Sequence, residues 1–260
     1  MLTVQNTTLV RLGFEKNERV GVVIPIYGES EAICWVLSRF SSSLGIEELC
    51  LVIDVPLKKN MRRIRDEARQ CGVPVHIIKN ERRMGVGYCI RQGLEHLIDS
   101  GFDVAVVMAG NGKDDPEQIP RVLEPVLEGE ADYVQGSRYL PGGSYHRMPL
   151  VRKIFNRVYP FFWSILTDSK CTDVTNGFRC YKLSILKDRR IDLNQDWLNG
   201  YSLEYYLHYK VLALRYRMKE VPVSKIYPFG HKGGYSRIQP LRDWWPIISP
   251  LVLLFLGARK

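Results

Sequence analysis

The chain has 260 residues, 45% of them hydrophobic, which is enough to bury a full core in one large domain or in one domain with an appended lobe. With 37 Lys and Arg against 28 Asp and Glu, the net charge is +9, which favours anionic partners (nucleotide phosphates, nucleic acid or an acidic membrane surface) without choosing among them. The six cysteines show no Cys-x-x-Cys spacing and several fall in apolar runs, which argues against a disulfide framework or a zinc site and for reduced core residues of a cytosolic protein.

Strand and helix signals alternate through the first half. The N-terminus carries charges where a signal peptide needs an apolar core. RVGVVIPIYG (19–28) is a nearly continuous apolar run, as expected of a strand covered on both faces. Helical spacing of Ile33, Val36, Leu37 and Phe40 follows, then the strand ELCLVIDV (48–55), a basic helix (60–72), the strand PVHIIKN (74–80), a helix over 87–101 and the strand DVAVVMAG (103–110). A helix over 116–128 has a start signal: Asp115 as N-cap, Pro116 at the first helical position and Gln118 completing a capping box. Asp115 therefore has a structural role that competes with any role at a ligand. ADYVQGSRY (131–139) closes this half as a further strand. Such alternation predicts a doubly wound, mainly parallel sheet that binds ligands beyond the carboxyl ends of its strands.

The second half is less regular and more aromatic. MPLVRKIFNRVYPFFWSIL (148–166) predicts an amphipathic helix broken at Pro160, with its aromatics in the core. TDVTNGFRCYKLSIL (172–186) reads as a loop entering a strand or helix, LEYYLHYKVLAL (203–214) as a helix and RMKEVPVSKIYP (217–228) as a strand. The C-terminus is apolar from Trp244 to Leu256, shorter than the roughly 20 residues of a spanning helix and interrupted by Pro246 and Pro250. It suits an interfacial anchor, or equally a terminal helix packed on the domain or on a second subunit of a homo-oligomer.

Polar groups gather in the loops at one predicted sheet edge: Tyr27 to Glu29, Asp54, Arg82 to Gly85, and Asn111 to Asp115. Gly85 and Gly87 would let backbone approach a ligand closely. The Gly-x-Gly there lacks the strand–turn–helix placement of a dinucleotide fingerprint, and neither a P-loop nor a Gly-x-Ser-x-Gly elbow is present. The basic run KKNMRRIR (58–65) comes with no RNA- or DNA-binding motif, so no nucleic-acid partner is expected.

In order, VVIPIYGESEAI, LVID, NERRMGVGYCIRQGL, VVMAGNGKDDPEQIP, VQGSRY and TDVTNGFRCY resemble the family 2 glycosyltransferases of the GT-A fold, closest to the dolichol- and polyprenyl-phosphate sugar synthases, over about residues 19–225. The resemblance implies an α/β, Rossmann-like, mainly parallel sheet flanked by helices, with a C-terminal acceptor lobe and an apolar tail. It divides the chain into one catalytic domain over 1–235, with a donor half 19–115 and an acceptor half 116–235, and a tail over 236–260. Pro25, Tyr27 and Glu29 would border the base and ribose of a nucleotide-diphosphate sugar, Asp54 would face the base, and Arg83 and Gly85 would lie near the nucleotide. Arg138 would lie near the sugar or the acceptor phosphate, Asp173 and Arg179 would line the acceptor side, and Glu204 would stand where relatives often keep an acid.

Departures from the family pattern carry as much information. Asp54 stands without the usual second acid, and Gly28 replaces an Asn. In the metal loop the family pattern Asp-x-Asp followed two residues later by Gln becomes Ala109, Asn111 and Lys113. An amide beside an ammonium is a poor site for Mg2+ or Mn2+. Three readings follow: Lys113 sets its charge against the leaving diphosphate in place of a metal, Lys113 is merely solvated, or Asp114 recruits Mg2+ or Mn2+ at a shifted position.

The expected reaction is an inverting sugar transfer from a nucleotide-diphosphate sugar, with little or no metal dependence. A saccharide or lipid hydroxyl as acceptor needs a general base, Glu204 or Asp173. A polyprenyl phosphate needs cations instead, from the set Arg138, Arg147, Arg152, Lys153 and Arg179. The place of action would be the cytoplasm, at the inner face of the membrane if the tail docks there. The alternative is a nucleotide-sugar-binding protein that has lost catalysis.

Overall fold

The computed structural model describes residues 18–28, 30–55, 61–148, 150–226 and 245–259. The first half follows the predicted alternation: β1 (Val20–Ile26), α1 (Ser30–Ser38), β2 (Glu48–Ile53), α2 (Met61–Gln70), β3 (Val75–Lys79), α3 (Val86–Asp99) and β4 (Val104–Val107). A 3-10 turn, Pro116–Gln118, leads into α4 (Ile119–Leu127), and β5 spans Tyr133–Ser137. The second half holds β6 (Ser144–His146), α5 (Leu150–Thr167), β7 (Arg179–Lys182), α6 (Ser202–Ala213), β8 (Met218–Pro222), β9 (Ser224–Ile226) and α7 (Trp245–Phe255).

Among the described residues a seven-stranded sheet runs in the order β3-β2-β1-β4-β7-β5-β8, and β6 pairs with β9 in a parallel ribbon. The central pairs β1–β2, β1–β4 and β2–β3 are parallel, whereas β7 runs antiparallel to both β4 and β5. This reversal carries Arg179, at the start of β7, to the edge where β4 ends, since Arg179 pairs with Val107.

Strand alternation sorts the core into two layers. Val22 and Ile24 of β1 pack with Ile33, Val36 and Leu37 of α1 and with Val122 and Val126 of α4. On the other face Val23, Val52 and Val107 pack with Ile90, Leu94 and Leu97 of α3 and with Leu203 and Leu207 of α6. Both faces are covered, which is why β1, β2 and β4 read as unbroken apolar runs. All six cysteines are buried and none forms a disulfide.

Four sequence expectations are corrected. RMKEVPVSKI is not one strand: it breaks at Val223, and its halves join different sheets. The helix expected from residue 116 begins as a 3-10 turn. Pro160 does not break α5, because Tyr159 and Trp163 on either side pack into a third cluster with Tyr205 and Leu251 that holds the helix together. The aromatics of that helix are also divided: Tyr159 and Trp163 are buried, but Phe161 and Phe162 face solvent. The described part of the tail, α7, packs on α6 with Leu251 and Leu254 buried. No helix among the described residues is long and apolar enough to cross a membrane.

Candidate functional site

The carboxyl ends of β1, β2 and β4 bring the donor-side residues together. Asp54 follows β2, and its amide donates to the Ile26 carbonyl at the end of β1 (2.9 Å). Its carboxylate is 4% exposed and turned onto the next loop, accepting from the amides of Met84 (2.6 Å) and Gly85 (3.1 Å). The group expected to face a nucleobase thus fixes the Arg82–Gly85 turn. That turn lays the exposed Arg83 guanidinium over the Tyr27 ring, 4.7 Å from its centroid, next to half-buried Pro25. Glu29, placed with these residues by the sequence, lies outside the described residues.

Gly85 and Gly87 have a different reason from the one expected. A Cβ on Gly85, whose φ is +102°, would lie 2.3 Å from the Asn199 carbonyl oxygen, and one on Gly87 would lie 2.0 Å from that of Leu198. The backbone they admit is the chain's own 198–200 segment, to which Tyr88 also donates (N to Asn199 O, 3.1 Å).

The loop after β4 lies against β1, since a Cβ on Gly110 would meet Ile24, Ile26 and the Pro25 carbonyl within 3.2 Å. Asn111 Oδ1 accepts the Lys113 amide (3.2 Å), and Gly112 takes the left-handed conformation (φ +72°) that closes this turn. The Lys113 carbonyl accepts the Ile226 amide of β9 (3.1 Å). Asp115 caps the 3-10 turn through the Glu117 amide (3.1 Å) and is held by Nε and Nη2 of Arg39 (2.9 Å each), so its role here is structural. Gln118 does not close a capping box. Its side chain bonds both backbone groups of Ser224 (Oε1 from N, 2.6 Å; Nε2 to O, 3.0 Å) and so ties β9 to this loop.

Asp114, the one acid among 109–114, is 1% exposed. Its Oδ1 lies 2.9 Å from Lys225 Nζ and its Oδ2 accepts the Ala109 amide (3.1 Å). Lys225 Nζ also donates to Asn176 Oδ1 (2.8 Å). Sequence reasoning missed this lysine, which links the β4 loop to the acceptor-side loop. Its signal was readable: Lys225 shares strand phase with Val221 and Val223, both buried, and a lysine on the core phase requires an acidic or carbonyl partner.

These residues do not fit a divalent cation. Ala109 offers no side-chain donor, Asn111 Oδ1 is used by the turn, and Asp114 is neutralised by an ammonium. Among the described residues no three His, Cys, Asp or Glu side chains are grouped to hold a metal. A cation shifted onto Asp114 would have to displace Lys225.

The acceptor-side loop 172–179 is held by buried polar groups. Arg138 grips Asp173 with two nitrogens (Nε to Oδ2, 2.6 Å; Nη2 to Oδ1, 2.7 Å), and Thr175 Oγ1 adds a bond to Asp173 Oδ1 (3.1 Å). The pair is almost wholly buried, with side chains 2% and 0% exposed. Arg179 spends its guanidinium on the carbonyls of Asn176 (2.9 Å), Val174 (2.9 Å) and Glu204. Glu220 accepts the amides of Thr172 (2.9 Å) and Asp173 (3.0 Å), and burial raises its carboxyl above the usual range. Glu204, in the first turn of α6, faces Gly177 and lies 3.7 Å from Arg179 Nε. Arg138, Asp173, Arg179 and Glu204 are therefore brought together, but the first three are turned inward. Behind them Cys171 and His208 stand 3.5 Å apart, and burial pushes the thiol up to about 12 and the imidazole well down, so this pair is neutral core and not a nucleophile.

The profile of the family described as "Glycosyl transferase family 2" matches residues 21–190. An undecaprenyl-phosphate mannosyltransferase of Micrococcus luteus is 31% identical over 206 residues, 79% of this chain and 83% of the relative. A polyprenol monophosphomannose synthase of Mycolicibacterium smegmatis is 27% identical over 208 residues, 80% and 77% of the two chains. Among solved structures, glucosyl-3-phosphoglycerate synthase from Mycobacterium tuberculosis, in complex with Mg2+ and uridine diphosphate, superposes with a TM-score of 0.65 at 15% identity, covering 99% of this chain and 85% of the other.

Proposed function

Because the chain belongs to glycosyltransferase family 2 and is a glycosyltransferase of GT-A fold, we propose that it moves a sugar from a nucleotide-diphosphate sugar to a polyprenyl phosphate, without a divalent metal ion. The observation that carries this reading is the burial of Asp173 with both carboxylate oxygens on Arg138. A hydroxyl acceptor needs a carboxylate to take its proton; of the two candidates, Asp173 is closed off by Arg138 and Glu204 lies against the Arg179 guanidinium (3.7 Å). A phosphate acceptor is already an oxyanion and needs none. The names of the two relatives support the same acceptor class.

In the proposed step an acceptor phosphate oxygen attacks the anomeric carbon. The bond from that carbon to the donor's diphosphate oxygen breaks in line, the electron pair leaves with the nucleoside diphosphate, and the configuration inverts. Pro25, Tyr27 and Arg83 border the nucleotide, and Asp54 and Gly85 set the turn that positions Arg83. Lys113 sets its ammonium against the charge developing on the diphosphate, work that a divalent ion does elsewhere. Its backbone bonds to Asn111 and β9 fix where the side chain starts. On the acceptor side Arg138 and Arg179 organise the loop, while Arg147, exposed just past β6, and partly exposed Arg152 offer positive charge to the incoming phosphate.

A panel of UDP-, GDP- and dTDP-sugars, each offered a short polyprenyl phosphate, the matching polyprenol and a free saccharide, tests the acceptor. The expected product is the polyprenyl-phosphate sugar alone, from one donor. Product from the polyprenol or the saccharide at a comparable rate would overturn the phosphate reading.

A further inference from the structure

Helix α5 is apolar on two opposite faces, and only one is used by the fold. Tyr159 and Trp163 anchor the inner face, yet Leu150, Ile154, Val158, Phe161, Phe162 and Ile165 are all exposed, Leu150 at 70% and Phe161 and Ile165 at 62%. At 3.6 residues per turn these six fall within an arc of about 120° along a rod of about 27 Å. Soluble surfaces scatter such residues singly; a continuous stripe marks a binding surface.

Charge decides what covers it. From Tyr133 to Thr167 the sequence contains no Asp or Glu, while Arg147 precedes the stripe and Lys153 and Arg157 flank it. A second copy of the chain would set these cations against their own images, with no carboxylate in the segment to pair them. An anionic bilayer offers both hydrocarbon for the stripe and phosphate for the cations. We propose that the outer face of α5 lies in the plane of an anionic membrane surface, as an interfacial helix that does not cross it. The face connects directly to the acceptor side: Tyr139, beneath the Arg138 guanidinium at 5.7 Å, donates to Met148 Sδ (3.9 Å), which also accepts from Asn156 of α5 (3.7 Å). Docking by α5 therefore presents the acceptor loop to lipid-borne phosphates. This deepens the acceptor reading given above and relocates the membrane contact expected of the tail.

The test is sedimentation of the full chain with vesicles of phosphatidylcholine, with and without phosphatidylglycerol, in the absence of donor and acceptor. Binding is expected only with the anionic lipid and is weakened by salt. Ile154→Ser with Phe161→Ser, or Arg157→Glu alone, lowers the partition coefficient about tenfold, whereas Phe255→Ser at the end of α7 with Leu256→Ser just past it leaves it within about twofold. These side chains are exposed, and an unchanged thermal midpoint verifies folding of each variant. Equal partition of the α5 variants, or a dimer in analytical ultracentrifugation that Ile154→Ser dissociates, would overturn the proposal. Because no substrate is present, failure here leaves the acceptor reading standing, and transfer to a water-soluble prenyl phosphate measures that reading separately.

Discussion

Lys113→Ala lowers turnover about a hundredfold to a thousandfold while leaving the donor KM within a few-fold, the range seen when a preorganised charge facing a developing anion is removed. The physical basis is the timing of the charge. The diphosphate already carries negative charge in the ground state, but the bridging oxygen gains its share only as the glycosidic bond breaks, so a cation beside it acts mainly on the transition state. Lys113→Arg retains most of the rate, and Lys113→Gln, which restores the family's usual amide, behaves like alanine. Added Mg2+ does not rescue either loss, since Ala109 and the Lys225-bound Asp114 give the ion no ligands. Initial rates with saturating donor check this series; unchanged turnover in Lys113→Ala would remove the lysine from the mechanism.

Asp173→Asn has the largest expected effect on stability, a loss of about 3–5 kcal/mol in urea unfolding, because Arg138 would keep its full charge at 3% exposure with no counter-charge beside it. The pair itself is replaceable: Arg138→Met with Asp173→Leu recovers much of the stability, since a buried ion pair offsets little more than its own desolvation. Activity does not return with it. The loop 172–179 also depends on Thr175 and on the Arg138 amide bonding to Asp173, and leucine cannot accept those bonds. A single variant that unfolds like the parent chain would contradict the burial of this pair.

The sheet and its edge were legible in the sequence because burial on both faces leaves an unmistakable apolar run, as in Val20 to Ile26. Turn chemistry was legible too, at Asp115 and Pro116. What periodicity could not show was which side chains the fold consumes. Asp54, Asp173, Arg138 and Arg179 read as ligand-facing by family position, and all four turn inward because partners distant in sequence, from residue 84 to 204, complete their bonds. Arg179 reaches its place only through the antiparallel return of β7, a topological fact that local pattern does not encode. Lys225 was missed for the reverse reason: one charged residue in a strand looked like surface until its phase was compared with Val223. The exposed stripe of α5 escaped because Phe161 and Phe162 sit beside core aromatics, and composition does not say which side of a helix is covered.

The most direct measurement is the rate of sugar transfer from the preferred donor in excess EDTA, compared with the same reaction supplied with Mg2+ or Mn2+. The account predicts equal rates, and loss of both in Lys113→Ala. A reaction that stops in EDTA and returns with either metal would show that an ion is bound after all, and would contradict the reading of Lys113 as its replacement.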